Sequence, residues 1–201
     1  MAVPAFKTKI TPQEYYIRER AAETKSDYFA GEVFAMAGGS TRHSLICINL
    51  YSELRTQLKG KRCGAYDSNQ RLKSRHTGLR CYPDATVYCG PLDYDNDDDQ
   101  TETATNPTIV FEVLSKSTEA YDRGIKAESY RGIETLRAYV LISQDRPHVE
   151  IQERLDDGTW RLSWASGMEG VMELPAIGVS VPLTELYDRV EFSEETPIIG
   201  S

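Results

Sequence analysis

No run of this chain approaches the ~20 consecutive apolar residues needed to cross a bilayer. No C-x-x-C pair occurs among its four cysteines, Cys47, Cys63, Cys81 and Cys89. The first absence excludes a helical membrane span. The second excludes a zinc site of the usual finger or ribbon spacing. The opening stretch, MAVPAFKTKITPQEYY, has no apolar h-region and is read as carrying no secretory signal. A cytoplasmic protein with four reduced, half-buried thiols is therefore expected. Internal repeats and heptads are missing as well.

An excess of positive charge is also lacking. The formal net charge is −8, which argues against gripping nucleic acid by bulk charge alone. The charge is unevenly spread. Residues 55–80 hold eight Lys or Arg against the single acid Asp67, while residues 93–102 hold six acids and no base. A solvated face is the plain reading of the basic run. The acidic run reads as a flexible loop without an assignable role.

What is present is an ordinary globular balance, 40% hydrophobic and 27% charged, over a length that suits one domain. Its core is expected at about residues 11–192 of the 201, with 193–201 as a flexible tail. The T-P-x-E pattern at Thr11, Pro12 and Glu14 predicts a capped helix to about Arg20. SDYFAGEVFA reads as a hairpin turning at Ala30-Gly31. Ser40 or Thr41 caps a second helix, on which Ile46, Leu50, Leu54 and Leu58 recur at four-residue steps; His43 and Cys47 share a side of it with Leu50 and Leu54. RCGAY, NQRLKS, CYPDATVYC and TIVFEVL read as strands, 122–132 as a helix, and AYVLIS, HVEIQER and TWRLSWAS as further strands before a turn-rich C-terminal part. This order predicts an α/β fold, a mixed sheet flanked by helices with extra C-terminal β-hairpins.

The chemistry concentrates in two segments. In CYPDATVYC, alternation puts Tyr82, Asp84, Thr86 and Tyr88 on one face. In TIVFEVL, Val110, Glu112 and Leu114 share a face, and Glu112 is a lone charge in an apolar run. A buried carboxylate must be paired, hydrogen-bonded or metal-bound. If the strands pair, Asp84 and Glu112 lie side by side with β-carbons about 4.5–5.5 Å apart. A hard cation, Mg²⁺ or Mn²⁺, relieves the repulsion of two such carboxylates and activates water for attack on phosphorus. The competing reading pairs Glu112 with an arginine and makes Asp84 a turn cap.

PDATVYCG, NPTIVFEVLSKSTEAYDRGIKAESYR and LRAYVLIS, with DYFAGEVFAMAGGSTRHSLICINL near the start, resemble the "putative restriction endonuclease" family of the PD-(D/E)xK nuclease superfamily. The resemblance covers about residues 15–190 and implies a restriction-endonuclease-like core with Asp84 and Glu112 as Mg²⁺ ligands, joined by the Val113 carbonyl. The superfamily pattern asks for lysine two residues after the acid, and here that residue is Leu114. The resemblance implies that the lysine has moved to the following helix, as Lys126, four residues after Asp122 on one helix face. A lysine beside carboxylates stays protonated, which suits an electrostatic role better than general base.

Accessory candidates are weighed against plainer roles. Glu32 is a third ligand, a partner of Lys126, or a solvated turn acid. His43 contacts substrate or is an ordinary helix-terminus histidine. Tyr130, one turn beyond Lys126, packs in the core by default. Arg71 and Lys73 hold a phosphate or form a solvated strand face. The expected function is Mg²⁺-dependent phosphodiester cleavage, with DNA as the partner and a homodimer as the expected assembly. The alternative is a nuclease-like module that binds nucleic acid or protein without cutting.

Overall fold

The computed structural model describes residues 9–36 and 38–192, so the tail expected at 193–201 lies outside the described residues. Helix α1 (Pro12–Ala21) begins where the T-P-x-E pattern places it. The Thr11 hydroxyl accepts from the Glu14 amide, and the Glu14 carboxylate accepts from the Thr11 amide at 2.8 Å. The hairpin follows as β1 (Ser26–Phe29) and β2 (Glu32–Ala35). Ala30 and Gly31 turn it with φ of 51° and 89°, the left-handed pair whose twist matches the flanking strands. Ser40 caps α2 (Thr41–Gln57), its hydroxyl accepting from the His43 amide, and the helix buries Ile46, Cys47, Leu50 and Leu54.

The strands β3 (Cys63–Asp67), β4 (Arg71–Lys73), β5 (Arg80–Cys81), β6 (Ala85–Cys89), β7 (Thr103–Ala104) and β8 (Ile109–Leu114) come next. A helical run in three parts follows: α3 (Glu119–Tyr121), a π-helical turn (Asp122–Lys126) and α4 (Ala127–Arg131). Then come β9 (Ala138–Ser143), β10 (His148–Arg154), β11 (Trp160–Ser166), the hairpin β12 (Val171–Leu174) and β13 (Val179–Pro182), and α5 (Leu183–Leu186). One six-stranded sheet runs β11-β10-β9-β8-β6-β3, antiparallel except for the parallel pair β8–β9. A five-stranded sheet runs β2-β1-β5-β4-β7, and β12–β13 stands apart as the expected C-terminal hairpin. The fold is mixed α/β, as the element order implies.

Both faces of the six-stranded sheet are covered. Ile109, Phe111 and Val113 of β8 pack with Ile46, Leu50 and Leu54 of α2 and with the C-terminal hairpin. Val110 and Leu114 pack on the other side with Leu72, Leu79, Tyr130 and Leu141. Each fully buried side chain of this size stabilises the fold by roughly 1.5–3 kcal/mol. Glu112 therefore sits between Val110 and Leu114 on an apolar face, 3% exposed.

Four expectations are corrected. CYPDATVYC is not one strand: it breaks at Tyr82–Asp84 into β5 and β6, which belong to different sheets. Pro83 has no N–H to give a ladder, so neither sheet runs through it. The helix expected at 122–132 starts at Glu119 and ends at Arg131, with the π-helical turn inside it. The cysteines are not all reduced: Cys63 and Cys89, directly opposed on β3 and β6, form a disulfide, while Cys47 and Cys81 are free and buried. The acidic run is not an idle loop. Asp95 and Asp98 are buried and ion-paired with Arg80, Lys73 and Arg71, and β7 adds its edge to β4. Opposite charges too close for water to screen fold the two runs together.

Candidate active site

The break at Pro83 leaves Asp84 at the mouth of β6. The ladder register is Ala85↔Phe111, so Asp84 falls opposite Glu112 just where pairing ends. With no strand partner there, the Val113 amide donates to Asp84 Oδ2 at 2.7 Å. Asp84 Oδ1 lies 3.2 Å from His43 Nε2, and the Asp84 carbonyl accepts from the Tyr51 hydroxyl at 2.6 Å. Asp84 is thus held from the α2 side.

Glu112 is held from the opposite side of the sheet. Lys126 Nζ donates to Glu112 Oε1 at 3.0 Å, and the Tyr130 hydroxyl donates to the same oxygen at 2.8 Å. Among the described residues no donor reaches Oε2. Lys126 also lies 3.1 Å from Asp122 Oδ1. Both belong to the π-helical turn, a local widening often found at functional positions. The Tyr139 hydroxyl, reaching from the neighbouring strand, anchors this turn by donating to the Asp122 carbonyl at 3.0 Å.

These groups open onto one cleft of about 520 Å³. Its walls include Asp84, Glu112, Val113, Asp122, Lys126 and His43, with Phe34, Ala35 and Met36 of the hairpin, Gly38–Ser40, and Ser115, Ser117 and Thr118 at its rim. Of the accessory candidates, His43 and Asp122 line it; Tyr130 does not, but bonds Glu112 from behind. Glu32 starts β2 opposite Phe29 and is not part of the cleft wall. Arg71 and Lys73 are committed elsewhere. The Arg71 guanidinium is buried against Thr103, Tyr82, Asp98 and Glu102, and Lys73 bonds Asp95 and Asp97. Neither faces the cleft, because the acidic run neutralises both.

The cleft also contains an acid the sequence pattern did not single out. Asp27 of β1 is 4% exposed, lines the wall, and accepts from the Tyr82 amide at 3.3 Å. Its signal in sequence is the one that marked Glu112, an acid inside a β-prone run. A four-residue strand is too short to reveal which face is buried.

Burial and neighbouring charges act together on the groups of this cleft. Burial pushes the Glu112 carboxyl well above its ordinary value; Lys126 opposes this, while Asp122 and Asp84 add to it. Burial likewise raises Asp27, against Lys126 and the Tyr82 and Tyr121 hydrogen bonds. Burial alone would lower Lys126, but Glu112, Asp27 and Asp122 outweigh it and keep the ammonium charged. The hydrogen bond that His43 donates to Asp84 raises the imidazole's pKa despite its burial. Glu112, Asp27 and Asp122 thus face the Lys126 ammonium, and Asp84 adds a fourth carboxyl group to the same cleft wall. An oxygen-rich donor set with surplus negative charge suits a hard divalent ion, so the residues present fit Mg²⁺ or Mn²⁺.

Known proteins resemble this chain in sequence and in fold. The profile of the family Uma2, described as "Putative restriction endonuclease", matches residues 12–184. The chain is similar to the uncharacterized protein slr1290 of Synechocystis sp., 34% identical over 184 residues, which cover 92% of this chain and 94% of the relative. It is also similar to sll1609 of the same organism, 31% identical over 173 residues, or 86% and 97% of the two chains. The fold matches a crystal structure from Anabaena variabilis, described as "a putative nuclease belonging to DUF820", with a TM-score of 0.70 at 13% identity, over 89% of this chain and 98% of that one. Among the described residues no helix is long and apolar enough to cross a membrane.

Proposed function

The chain belongs to the Uma2 family, a nuclease-fold family of the PD-(D/E)xK type, and from that premise we propose that it hydrolyses phosphodiester bonds with Mg²⁺ or Mn²⁺ as cofactor and DNA as substrate. One observation carries the reading: Lys126 Nζ sits 3.0 Å from Glu112 Oε1 inside the cleft that Asp84 lines, although the position two residues after the acid is Leu114.

In this reading Asp84 and Glu112, whose Oε2 is left free by Lys126 and Tyr130, would hold the ion. A strand residue turns its N–H and C=O to the same edge. Val113, whose N–H already faces Asp84, would present its carbonyl there as a third ligand. The bound ion supplies Lewis-acid activation of water and neutralises charge on the phosphoryl oxygens. Lys126 fixes the Glu112 rotamer and donates positive potential where the phosphorane's charge develops. It stays protonated throughout, so the water's proton passes to a phosphate oxygen of the substrate and not to the lysine. Tyr130 holds Glu112 from the buried side, and Asp122 holds the Lys126 ammonium over the cleft. His43 steadies Asp84 through Oδ1.

Plasmid DNA incubated with the purified protein and Mg²⁺ tests the reading. Nicking should appear, vanish with EDTA, and be lost in Asp84→Ala with the far-UV circular dichroism unchanged. Retention of DNA without nicking under Mg²⁺ and Mn²⁺ would overturn it in favour of a non-cutting binding module.

A further inference from the structure

His43 and Cys47 stand one helical turn apart on α2 and bring a nitrogen and a sulfur donor up behind Asp84. His43 Nε2 is 3.2 Å from Asp84 Oδ1, and Cys47 Sγ is 3.6 Å from His43 Nδ1. One donor atom from each of the three residues lies within 4.8 Å of the other two. None of these contacts involves Glu112, Lys126 or Asp122. We propose that His43, Cys47 and Asp84 form a second cation site, of mixed N, S and O character, which takes a borderline divalent ion such as Zn²⁺ and shares Asp84 with the oxygen site.

The donor set separates the two sites chemically. Thiolate and imidazole favour Zn²⁺ over Mg²⁺, and three protein ligands with a fourth position open to the cleft make a common zinc geometry. The surroundings hold the donors in place. The Val113 amide and the Tyr51 hydroxyl fix Asp84. The Ser40 cap fixes the first turn of α2. The His43 ring lies against Gly39, where an added Cβ would come within 2.9 Å of Nδ1, so a side chain at 39 would displace the ring.

The order Cys47, His43, Asp84 also has the outline of a nucleophilic triad, and the structure argues against that role. Cys47 does not line the cleft, and burial holds its thiol far up from the usual value, so no thiolate waits for substrate. A metal changes that balance: the S–metal bond forms as the S–H proton leaves to solvent, with no change of oxidation state. An ion held here draws Asp84 away from Glu112. If the nuclease reading above holds, Zn²⁺ then antagonises the Mg²⁺ reaction.

Co²⁺, a spectroscopic stand-in for Zn²⁺, tests the site on the whole chain without nucleic acid. Titration should give a thiolate-to-cobalt charge-transfer band and the visible bands of a four-coordinate ion, bleached by stoichiometric Zn²⁺ and not by excess Mg²⁺. Cys47→Ser and Cys47→Ala should both lose the charge-transfer band, with circular dichroism verifying the fold. Asp84→Asn should weaken Co²⁺ by about tenfold or more, while Glu112→Gln keeps the band. Absence of the band in the wild type, or its survival in both Cys47 variants, overturns the proposal. The spectrum is independent of cleavage, so failure of this site and failure of the nuclease reading give different results.

Discussion

Lys126 donates to Glu112 across 3.0 Å from a helix that follows the Glu112 strand, and the two charges are almost wholly shielded from water. In the proposed reading Lys126 takes the part of the superfamily lysine, reaching Glu112 by way of a π-helical turn and not along the strand. Removing it tests both its catalytic and its structural weight. Lys126→Met should reduce DNA cleavage by roughly 10²–10³. Because it leaves buried carboxylates unpaired, it should also destabilise the metal-free protein by about 3–5 kcal/mol. Mg²⁺ should restore more stability to the variant than it adds to the wild type, since the ion replaces the missing positive charge. Thermal unfolding with and without MgCl₂ measures this, and an unchanged cleavage rate would remove Lys126 from the mechanism.

Calcium separates binding from chemistry. Its looser, larger coordination sphere accepts the same oxygens but positions water poorly. DNA should be retained by the protein in Ca²⁺ without being cut, in a gel-shift run beside the nicking assay. Equal turnover in Ca²⁺ and Mg²⁺ would contradict the proposed ligand geometry.

Asp27 is expected to trade stability for metal affinity. Its folded pKa is raised by burial above the unfolded value of about 3.9. A group shifted in that direction contributes stability below about pH 3.9 and loses it as pH rises through the folded value. At neutral pH the ionised side chain therefore burdens the metal-free fold. Asp27→Asn should raise the metal-free melting temperature near neutral pH, with the gain fading toward about pH 4, and should weaken Mg²⁺ binding. A uniform loss of stability at every pH would show that its hydrogen bond from Tyr82 matters more than its charge.

Asp95 has the opposite sign. Burial raises its pKa, but Lys73, the Tyr16 hydroxyl, the Asp97 amide and Arg80 outweigh burial and hold it below the usual range. Its stabilising contribution is present above the unfolded value of about 3.9 and is lost as pH falls through the lower folded one. Asp95→Asn leaves Arg80 and Lys73 short of a partner, so it should cost about 3 kcal/mol at neutral pH and progressively less in acid. Urea unfolding across pH checks this; a constant difference would mean that the acidic segment is held by hydrogen bonds alone.

The Cys63–Cys89 bridge predicts two free thiols, at Cys47 and Cys81, when the unreduced protein is denatured and titrated. A loop closed over 26 residues contributes about 3.5 kcal/mol by loop entropy. Replacing both cysteines by serine should cost about that much in chemical unfolding. Four reactive thiols without reductant would return the pair to the reduced state read from the sequence.

Local order was legible because it is written locally. The Thr11 capping box, the Ala30-Gly31 turn and the four-residue steps of Ile46, Leu50 and Leu54 each depend on neighbours within one or two turns, so the sequence alone determined α1, the hairpin and α2. It also determined that Glu112 needed a partner, since a lone acid in an apolar strand has no inexpensive alternative. The tertiary structure decided which partner. Asp84 reaches Val113 and His43 only because Pro83 ends one sheet and starts another. Asp27 enters the cleft from a strand too short to announce its buried face, and Arg71 and Lys73 turn away because acids some 20 to 30 residues later neutralise them. Charge–charge energies depend on separation in space and on the loss of intervening water, and neither quantity exists until the chain has folded.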